Sequence, residues 1–139
     1  LPIDRFRSSQ RRFFYLFLCG ITAQPPHKEI EKTALGATET VYWQYYENTK
    51  ELITLLKQDN YKIYAVEQTD EPQELTQFSF SPEERYAVVM GNEVFGVDDE
   101  VLNLCDGAIE IPQVGVKHSL NVSVAAAIVI WEFFRQMKK

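Results

Sequence analysis

Cysteine and long apolar runs are both scarce in this sequence, and each scarcity excludes a class of protein. The 139 residues include two cysteines, Cys19 and Cys105, which are too few for a disulfide framework and form no Cys-x-x-Cys pair. We therefore expect buried thiols in a reducing, cytoplasmic compartment. The longest uncharged apolar stretch, residues 120–131, is too short to cross a bilayer, so we expect no membrane partner.

Basic charge and histidine are scarce as well. The net charge of −6 argues against nucleic acid as a partner, because phosphate binding favours a basic surface. Four arginines nevertheless cluster near the N-terminus, where they form either a solvated face or an RNA contact. The two histidines have no partner at metal-ligand spacing, so no metal is expected. The clustered arginines are Arg5, Arg7, Arg11 and Arg12, and the two histidines are His27 and His118.

Apolar runs alternate with helical patterns along the chain, and turn residues separate them. The length and the 45% hydrophobic content fit one domain, residues 1–139. This alternation predicts an α/β fold with a mostly parallel sheet and helices on both faces. Strands are predicted over residues 13–19, 41–46, 61–66, 86–90 and 108–111, and helices over 27–35, 49–56, 98–104 and within 119–138. Either Asn48 or Thr49 caps the second helix, and residues 72–84 are a polar connector.

The ends of three predicted strands meet at one edge of such a sheet. Ligands of parallel sheets usually bind beyond the carboxyl ends of the strands. That edge comprises Val66 to Thr69, Gly91 to Gly96 and Ile111 to Asn121. We therefore expect a small-molecule site there.

The second of these segments, Gly91-Asn92-Glu93-Val94-Phe95-Gly96, follows a buried strand directly. Gly91 would let the backbone approach a ligand closely, and Gly96 would permit a tight turn. Asn92 and Glu93 supply an amide and a carboxylate. A plain strand–turn–helix junction explains the same pattern.

The third segment joins Ile111-Pro112-Gln113 to the start of the long C-terminal helix. Ser119 or Asn121 could cap this helix, with free N–H groups turned toward a ligand. Small residues on its first turns would let another segment pass very close. A capped core helix is the alternative interpretation.

Together these motifs carry a family resemblance. Gly-Asn-Glu-x-x-Gly, then Ile-Pro-Gln, then Ser-Leu-Asn-Val-Ser-x-Ala-x-Ala resembles the second and third signature motifs of the SpoU methyltransferases, of the SPOUT class. Cys19-Gly20-Ile21-Thr22, Pro25-Pro26-His27 and the segment 32–37 are similar to a subgroup. The resemblance extends from about Phe13 onward. It implies a deep C-terminal trefoil knot, an exception to unthreaded topology, that binds S-adenosylmethionine.

The resemblance also implies roles for individual residues. Gly91, Ile111 and Leu120 would hold the cofactor mainly through backbone groups, and Glu93 and Asn121 would orient the reacting groups. The remaining implied cofactor contacts are Val66, Glu67, Gln68, Asn92, Gly96, Pro112, Ser119 and Asn121. The implied reaction moves a methyl group to a ribose 2′-hydroxyl of tRNA or rRNA. The implied assembly is a homodimer through Trp131, Phe133 and Phe134, which could instead fill the domain's own core.

The family's first motif, Asn-x-Gly-x-x-x-Arg-Thr, is absent after its lead-in Arg7-Ser8-Ser9-Gln10. Either residues that belong between Gln10 and Arg11 are missing from this sequence, or the protein has lost the motif. In the second case Arg11 or Arg12 could replace the missing arginine, or the protein is a catalytically inactive RNA-binding or dimerisation module. A Rossmann-like enzyme lacks support, because no Gly-x-Gly-x-x-Gly follows a strand.

Overall fold

The computed structural model describes residues 15–19, 42–69, 73–91, 96–113 and 121–137. In the first strand it describes only the side chain of Cys19, and in the second strand the side chains from Tyr45 onward. By its internal contacts the chain forms two compact units, Leu1–Leu52 and Ile53–Lys139. In the first unit, strands β1 (Tyr15–Cys19) and β2 (Tyr42–Tyr46) pair in parallel. Both strands were predicted. The predicted helix over residues 27–35 lies outside the described residues.

Helix α1 (Thr49–Gln58) begins after Asn48. The Asn48 side-chain oxygen accepts a hydrogen bond from the Glu51 N–H at 3.2 Å, so Asn48 rather than Thr49 is the cap. Leu52, Ile53 and Leu56 are buried along one face, as the sequence predicts for an amphipathic helix. The chain then turns through Asn60, whose φ of 65° is left-handed.

The second unit contains a four-stranded sheet in which every pair is parallel. Its strands are β3 (Tyr61–Val66), β4 (Gln73–Glu74), β5 (Arg85–Met90) and β6 (Gly107–Glu110). Their order across the sheet is β4-β6-β3-β5, which places β3 in the interior. Three of these strands were predicted to within one residue, and β4 was not.

Two further helices complete the described part of this unit. Helix α2 (Asp99–Leu104) is capped as predicted by Asp98, whose carboxylate accepts from the Glu100 N–H at 2.9 Å. Helix α3 (Val122–Met137) is the long C-terminal helix. No helix in the described ranges is both long and apolar enough to span a membrane.

Both faces of the sheet are covered. On one face Val129 of α3 is buried beside Ile109, and Phe133 and Met137 pack against the same cluster. Side chains alternate along a strand, so Ile63 and Ala65 point to the opposite face. Both are 0% exposed, so that face is buried too, as the predicted fold requires. The predicted knot would involve residues 114–120, which lie outside the described part, and it stays a prediction.

The interpretation of residues 72–84 as a polar connector was wrong. Leu75, Phe78 and Phe80 lie in this segment and belong to the buried cluster with Ile109 and Val129. Phe80 makes an edge-to-face contact with the Phe133 ring, with centroids 5.1 Å apart. The three apolar residues are separated by polar ones at no regular period, so neither a helical nor a strand pattern reveals them.

The aromatic residues of α3 divide between core and surface. Phe133 packs against Phe80 and Tyr86, as core residues do. Trp131 is 63% exposed and Phe134 is 44% exposed, and their rings lie 5.9 Å apart. The two predicted alternatives, core and exposed surface, therefore apply to different residues of the same helix.

Candidate ligand-binding site at the carboxyl edge of the sheet

The register of the sheet brings three of the predicted strand ends together. Val66, the last residue of β3, pairs with Met90 on one side and with Ile109 on the other. Adjacent strands are about 4.8 Å apart, so the residues that follow these three positions are close neighbours. Val66, Glu67, Gly91 and Ile111 therefore lie at one edge, as predicted. Gln68 and Pro112 follow the same strand ends and are exposed.

The two glycines of the segment after β5 serve different needs. A Cβ on Gly91 would collide with the Gly96 carbonyl carbon and would lie 2.6 Å from the Val97 nitrogen. Gly91 is thus required by a close approach of two backbone segments. Gly96 has φ of 71°, a left-handed conformation that side chains disfavour. The left-handed φ of Gly96 fits the predicted tight turn, which stays a prediction because residues 92–95 lie outside the described part, and the close approach at Gly91 is to the protein's own backbone.

Glu67 joins the end of β3 to this segment. Its Oε2 accepts a hydrogen bond from the Val97 N–H at 2.8 Å, and its Oε1 accepts from the Gln68 N–H at 3.1 Å. The Glu67 N–H donates to the Ile109 carbonyl at 3.2 Å. Sequence reasoning placed Glu67 in the wall of the site but missed this bond to Val97, because a contact across thirty positions leaves no local pattern.

Asn121 is the cap of helix α3. Its side-chain oxygen accepts from the Ser123 N–H at 2.8 Å, and its carbonyl accepts from the Ala125 N–H at 2.9 Å. Of the two predicted caps, Ser119 lies outside the described residues. The capping bond uses only the oxygen of the Asn121 carboxamide, and the catalytic role of Asn121 stays a prediction.

The remaining predicted positions are not described by the structure. They comprise the predicted catalytic carboxylate, several cofactor contacts, both histidines and the arginine cluster. Their roles therefore stay predictions from the motifs. These residues are Asn92, Glu93, Ser119, Leu120, His27, His118 and the arginines of residues 5–12.

Charge is unevenly distributed along the described sheet. The carboxyl edge carries Glu67 and Glu110, whereas Lys62 and Arg85 lie at the opposite, amino end of β3 and β5. The Arg85 guanidinium is 3.5 Å from the Asp59 carboxylate and about 20 Å along the strand from Gly91. An edge built from backbone groups and carboxylates favours a neutral or cationic ligand over a phosphate.

The fold defines a class: an α/β domain with a parallel sheet, in which ligands usually bind beyond the carboxyl ends of the strands. A more particular assignment follows from comparison with known families. The model of the SpoU rRNA Methylase family matches residues 9–131. The chain belongs to this family.

Individual relatives agree with the family assignment. The chain is 35% identical over 108 residues to a tRNA (guanosine(18)-2'-O)-methyltransferase of Thermus thermophilus, and the match covers 78% of this chain and 55% of the relative. It therefore spans about half the length of that enzyme. The crystal structure of the A. aeolicus TrmH/SpoU tRNA modifying enzyme superposes with a TM-score of 0.76 at 28% identity, over 88% of this chain and 61% of that one.

A more distant structure shares the fold. The SpoU methyltransferase AviRb from Streptomyces viridochromogenes, solved in complex with AdoMet, superposes with a TM-score of 0.78 at 19% identity. The superposition covers 91% of this chain and 51% of that one. The α/β architecture predicted from the sequence is thus confirmed both by the sheet and by its structural neighbours.

Proposed function

We propose that this protein transfers a methyl group from S-adenosylmethionine to a ribose 2′-hydroxyl of tRNA. The observation that carries the proposal is the meeting of Val66, Gly91 and Ile111 at adjacent strand ends within a chain of the SpoU family. The similarity to enzymes named tRNA 2'-O-methyltransferases favours tRNA over rRNA. The nucleotide that is methylated is left to the assay.

The described residues fit the cofactor. S-adenosylmethionine is a nucleoside with a cationic sulfonium and no phosphate, and the edge offers backbone groups with the carboxylate of Glu110, while both oxygens of Glu67 accept backbone hydrogen bonds. Gly91 and Ile111 are only half-buried, and because glycine has no side chain, the exposed surface of Gly91 is main chain that a ligand can reach. When bound, the cofactor supplies an electrophilic methyl group on a good leaving group. The protein must then mainly position the hydroxyl and assist its deprotonation.

The residues with assigned roles are few. Gly91, Ile111 and Leu120 would bind the cofactor through their backbone groups. Glu93 and Asn121 would hold and orient the hydroxyl by hydrogen bonds. Because these two side chains would act on the hydroxyl rather than on the cofactor, removing either one would lower the methylation rate more than it would weaken cofactor binding.

The test of this function is a pair of measurements on the purified protein. Calorimetry with S-adenosylmethionine measures cofactor binding, and transfer of labelled methyl to total tRNA and to rRNA measures activity and substrate. We expect binding, transfer to tRNA, and a loss of transfer in Glu93→Ala and Asn121→Ala. Glu74→Ala is the matched control, because Glu74 is exposed and lies on the edge strand β4. No cofactor binding by the parent protein would refute the proposal.

A second candidate function follows from the missing first motif after Gln10. The protein would then be a knotted RNA-binding or dimerisation module that has lost activity. The methyl-transfer assay separates the enzyme from the inactive module. The module would bind RNA, yet neither the parent protein nor Glu93→Ala would transfer a methyl group to tRNA or rRNA.

We further propose a homodimer formed through α3. Besides Ile130, α3 has four exposed large apolar residues that recur every three or four positions, so these four line one side of the helix. These residues are Val124, Ile128, Trp131 and Phe134. Light scattering after size exclusion should give twice the monomer mass for the parent protein. Trp131→Glu should lower the measured mass to that of one monomer, and the control Glu74→Ala should keep the dimer mass. A parent protein that stays monomeric at high concentration would refute this assembly.

We also propose that the protein works in the cytoplasm. Neither Cys19 nor Cys105 forms a disulfide, and both are half-buried rather than fully buried as expected. Burial raises the pKa of each thiol above its ordinary value of 9.0. Such thiols react slowly, and cysteines without a disulfide fit a reducing compartment. Cell fractionation tests this, and recovery in a secreted fraction would refute it.

A further inference from the structure

We propose that Glu67 is a positioning residue for the cofactor site: its carboxylate holds the backbone at Gly96 and Val97 and thereby fixes the surroundings of Gly91. The inference rests on the proposed function and assigns Glu67 a role other than direct contact with the cofactor. It concerns described residues only, all of which belong to one compact unit.

The first step is the reach of Glu67 across the sheet. Its own N–H is anchored to β6 through the Ile109 carbonyl at 3.2 Å. Its side chain extends the other way, toward the segment that follows β5, and accepts from the Val97 N–H at 2.8 Å. One residue at the end of the interior strand thus links all three strand ends. A hydrogen bond to an ionised acceptor is stronger than a neutral one, which suits this linking role.

The second step is the fit between the carboxylate and the glycines. A Cβ on Gly96 would collide with the Glu67 carboxylate oxygen. Gly96 also has φ of 71°, so a side chain there is disfavoured by both space and conformation. The carboxylate therefore occupies the volume that a side chain at position 96 would need. Glu67 and Gly96 form a complementary pair.

The third step connects this pair to the cofactor site. The backbone at Gly96 and Val97 packs so tightly on Gly91 that Gly91 has no room for a side chain. Holding Val97 therefore holds the wall against which Gly91 lies. Both Glu67 oxygens already accept backbone hydrogen bonds, which satisfies the carboxylate within the protein. Its effect on the cofactor is then exerted through Gly91.

The experiment compares Glu67→Ala, Glu67→Gln and the control Glu74→Ala in the purified protein. Three quantities are measured in each: the Kd for S-adenosylmethionine, the thermal midpoint, and the amide exchange rate of Val97. For Glu67→Ala we expect a roughly tenfold or larger increase in both Kd and the Val97 exchange rate, the range that a hydrogen bond to a charged group supports. Glu74→Ala should match the parent in all three.

Glu67→Gln distinguishes positioning from a direct effect of charge. An amide oxygen can still accept from the Val97 N–H, so we expect Val97 to stay protected and Kd to rise by less than about threefold. If Glu67→Gln keeps Val97 protected but loses binding as fully as Glu67→Ala, the charge itself acts on the cofactor and the positioning role is wrong. This variant also decides the question if Glu67→Ala fails to fold.

The outcomes separate this inference from the proposed function. A parent protein that binds cofactor while Glu67→Ala binds equally well overturns the positioning role alone. Unchanged Val97 exchange in a folded Glu67→Ala protein does the same. A parent protein that binds no S-adenosylmethionine overturns both proposals together. Weaker binding with faster Val97 exchange, in a Glu67→Ala protein whose thermal midpoint still lies above the assay temperature, supports the inference.

Discussion

Replacing Gly91 with alanine should destabilise the protein strongly, although it adds a single methyl group. The added Cβ would collide with the Gly96 carbonyl carbon and lie 2.6 Å from the Val97 nitrogen and 2.9 Å from the Gly96 Cα. All three are backbone atoms, and the hydrogen bond from the Val97 N–H to Glu67 restrains them. A rotamer change therefore cannot relieve the overlap.

The expected magnitude follows from the cost of overpacking. Forcing an extra methyl group into a close-packed region typically costs about 1–3 kcal/mol, and immovable neighbours place Gly91→Ala near the upper end, at about 2–3 kcal/mol. For a domain of this size that corresponds to a Tm lower by roughly 6–9 °C. Urea unfolding followed by circular dichroism gives the free energy of unfolding, and a thermal melt gives the Tm.

Gly107→Ala is the matched control. A Cβ on Gly107 would lie 3.2 Å and 3.3 Å from two atoms of the Tyr64 ring, which is a side chain and can move by a few tenths of an ångström. Alanine also lowers the entropy of the unfolded chain, so we expect a net change within about 1 kcal/mol. If Gly91→Ala and Gly107→Ala are equally stable, the close backbone approach at Gly91 is not a real constraint, and the reasoning about the cofactor site loses its basis.

Three further predictions concern the C-terminal helix. Gln136→Ala should lower the free energy of unfolding, measured by urea unfolding, by about 2 kcal/mol. The reason is that the Gln136 side chain accepts from the Phe80 N–H and donates to the Phe78 carbonyl, both at 2.8 Å. Phe80→Ala should lower the free energy of unfolding by about 3–5 kcal/mol, because Phe80 is buried. Phe134→Ala should lower that of the monomer far less, because Phe134 is exposed, and equal losses would contradict this contrast. Hydrogen bonding to Arg135 lowers the pKa of Glu132 below its ordinary value of 4.5, so the stabilisation is present at neutral pH and is lost as the pH falls through that lowered pKa. NMR titration of Glu132 should show the low value, and Arg135→Ala should raise it; an unchanged pKa would contradict the pairing.

Five of the six described strands were predictable because each is a short apolar run closed by turn residues, whereas β4 has two polar residues and gives no such signal. Arg85–Met90 and Tyr61–Val66 are interior or paired strands of a parallel sheet, where both faces are buried and apolar residues dominate. The caps Asp98 and Asn121 were predictable for a local reason too, since their oxygens bond N–H groups two residues on. Sequence reasoning succeeds where the determining contact lies within a few positions.

It failed where the determining contact is distant. Leu75, Phe78 and Phe80 are core residues only because α3 and the sheet close over them, and their spacing matches no regular element. Glu67 likewise carries no sign that its carboxylate bonds Val97. The sequence motif predicts the position of the site, which stays a prediction, and the residue that bonds the segment after β5 lies on another strand and became visible only through the sheet register.

The charge distribution constrains where the proposed RNA substrate would bind. The chain carries a net charge of −6, and the described carboxyl edge adds Glu67 and Glu110 beside the proposed cofactor. Phosphates would be repelled there, and Arg85 at the far end of the sheet is already paired with Asp59. We infer that the edge binds the cofactor, while cationic contacts to RNA come from other parts of the protein, such as the arginines of residues 5–12 or the second copy in a dimer.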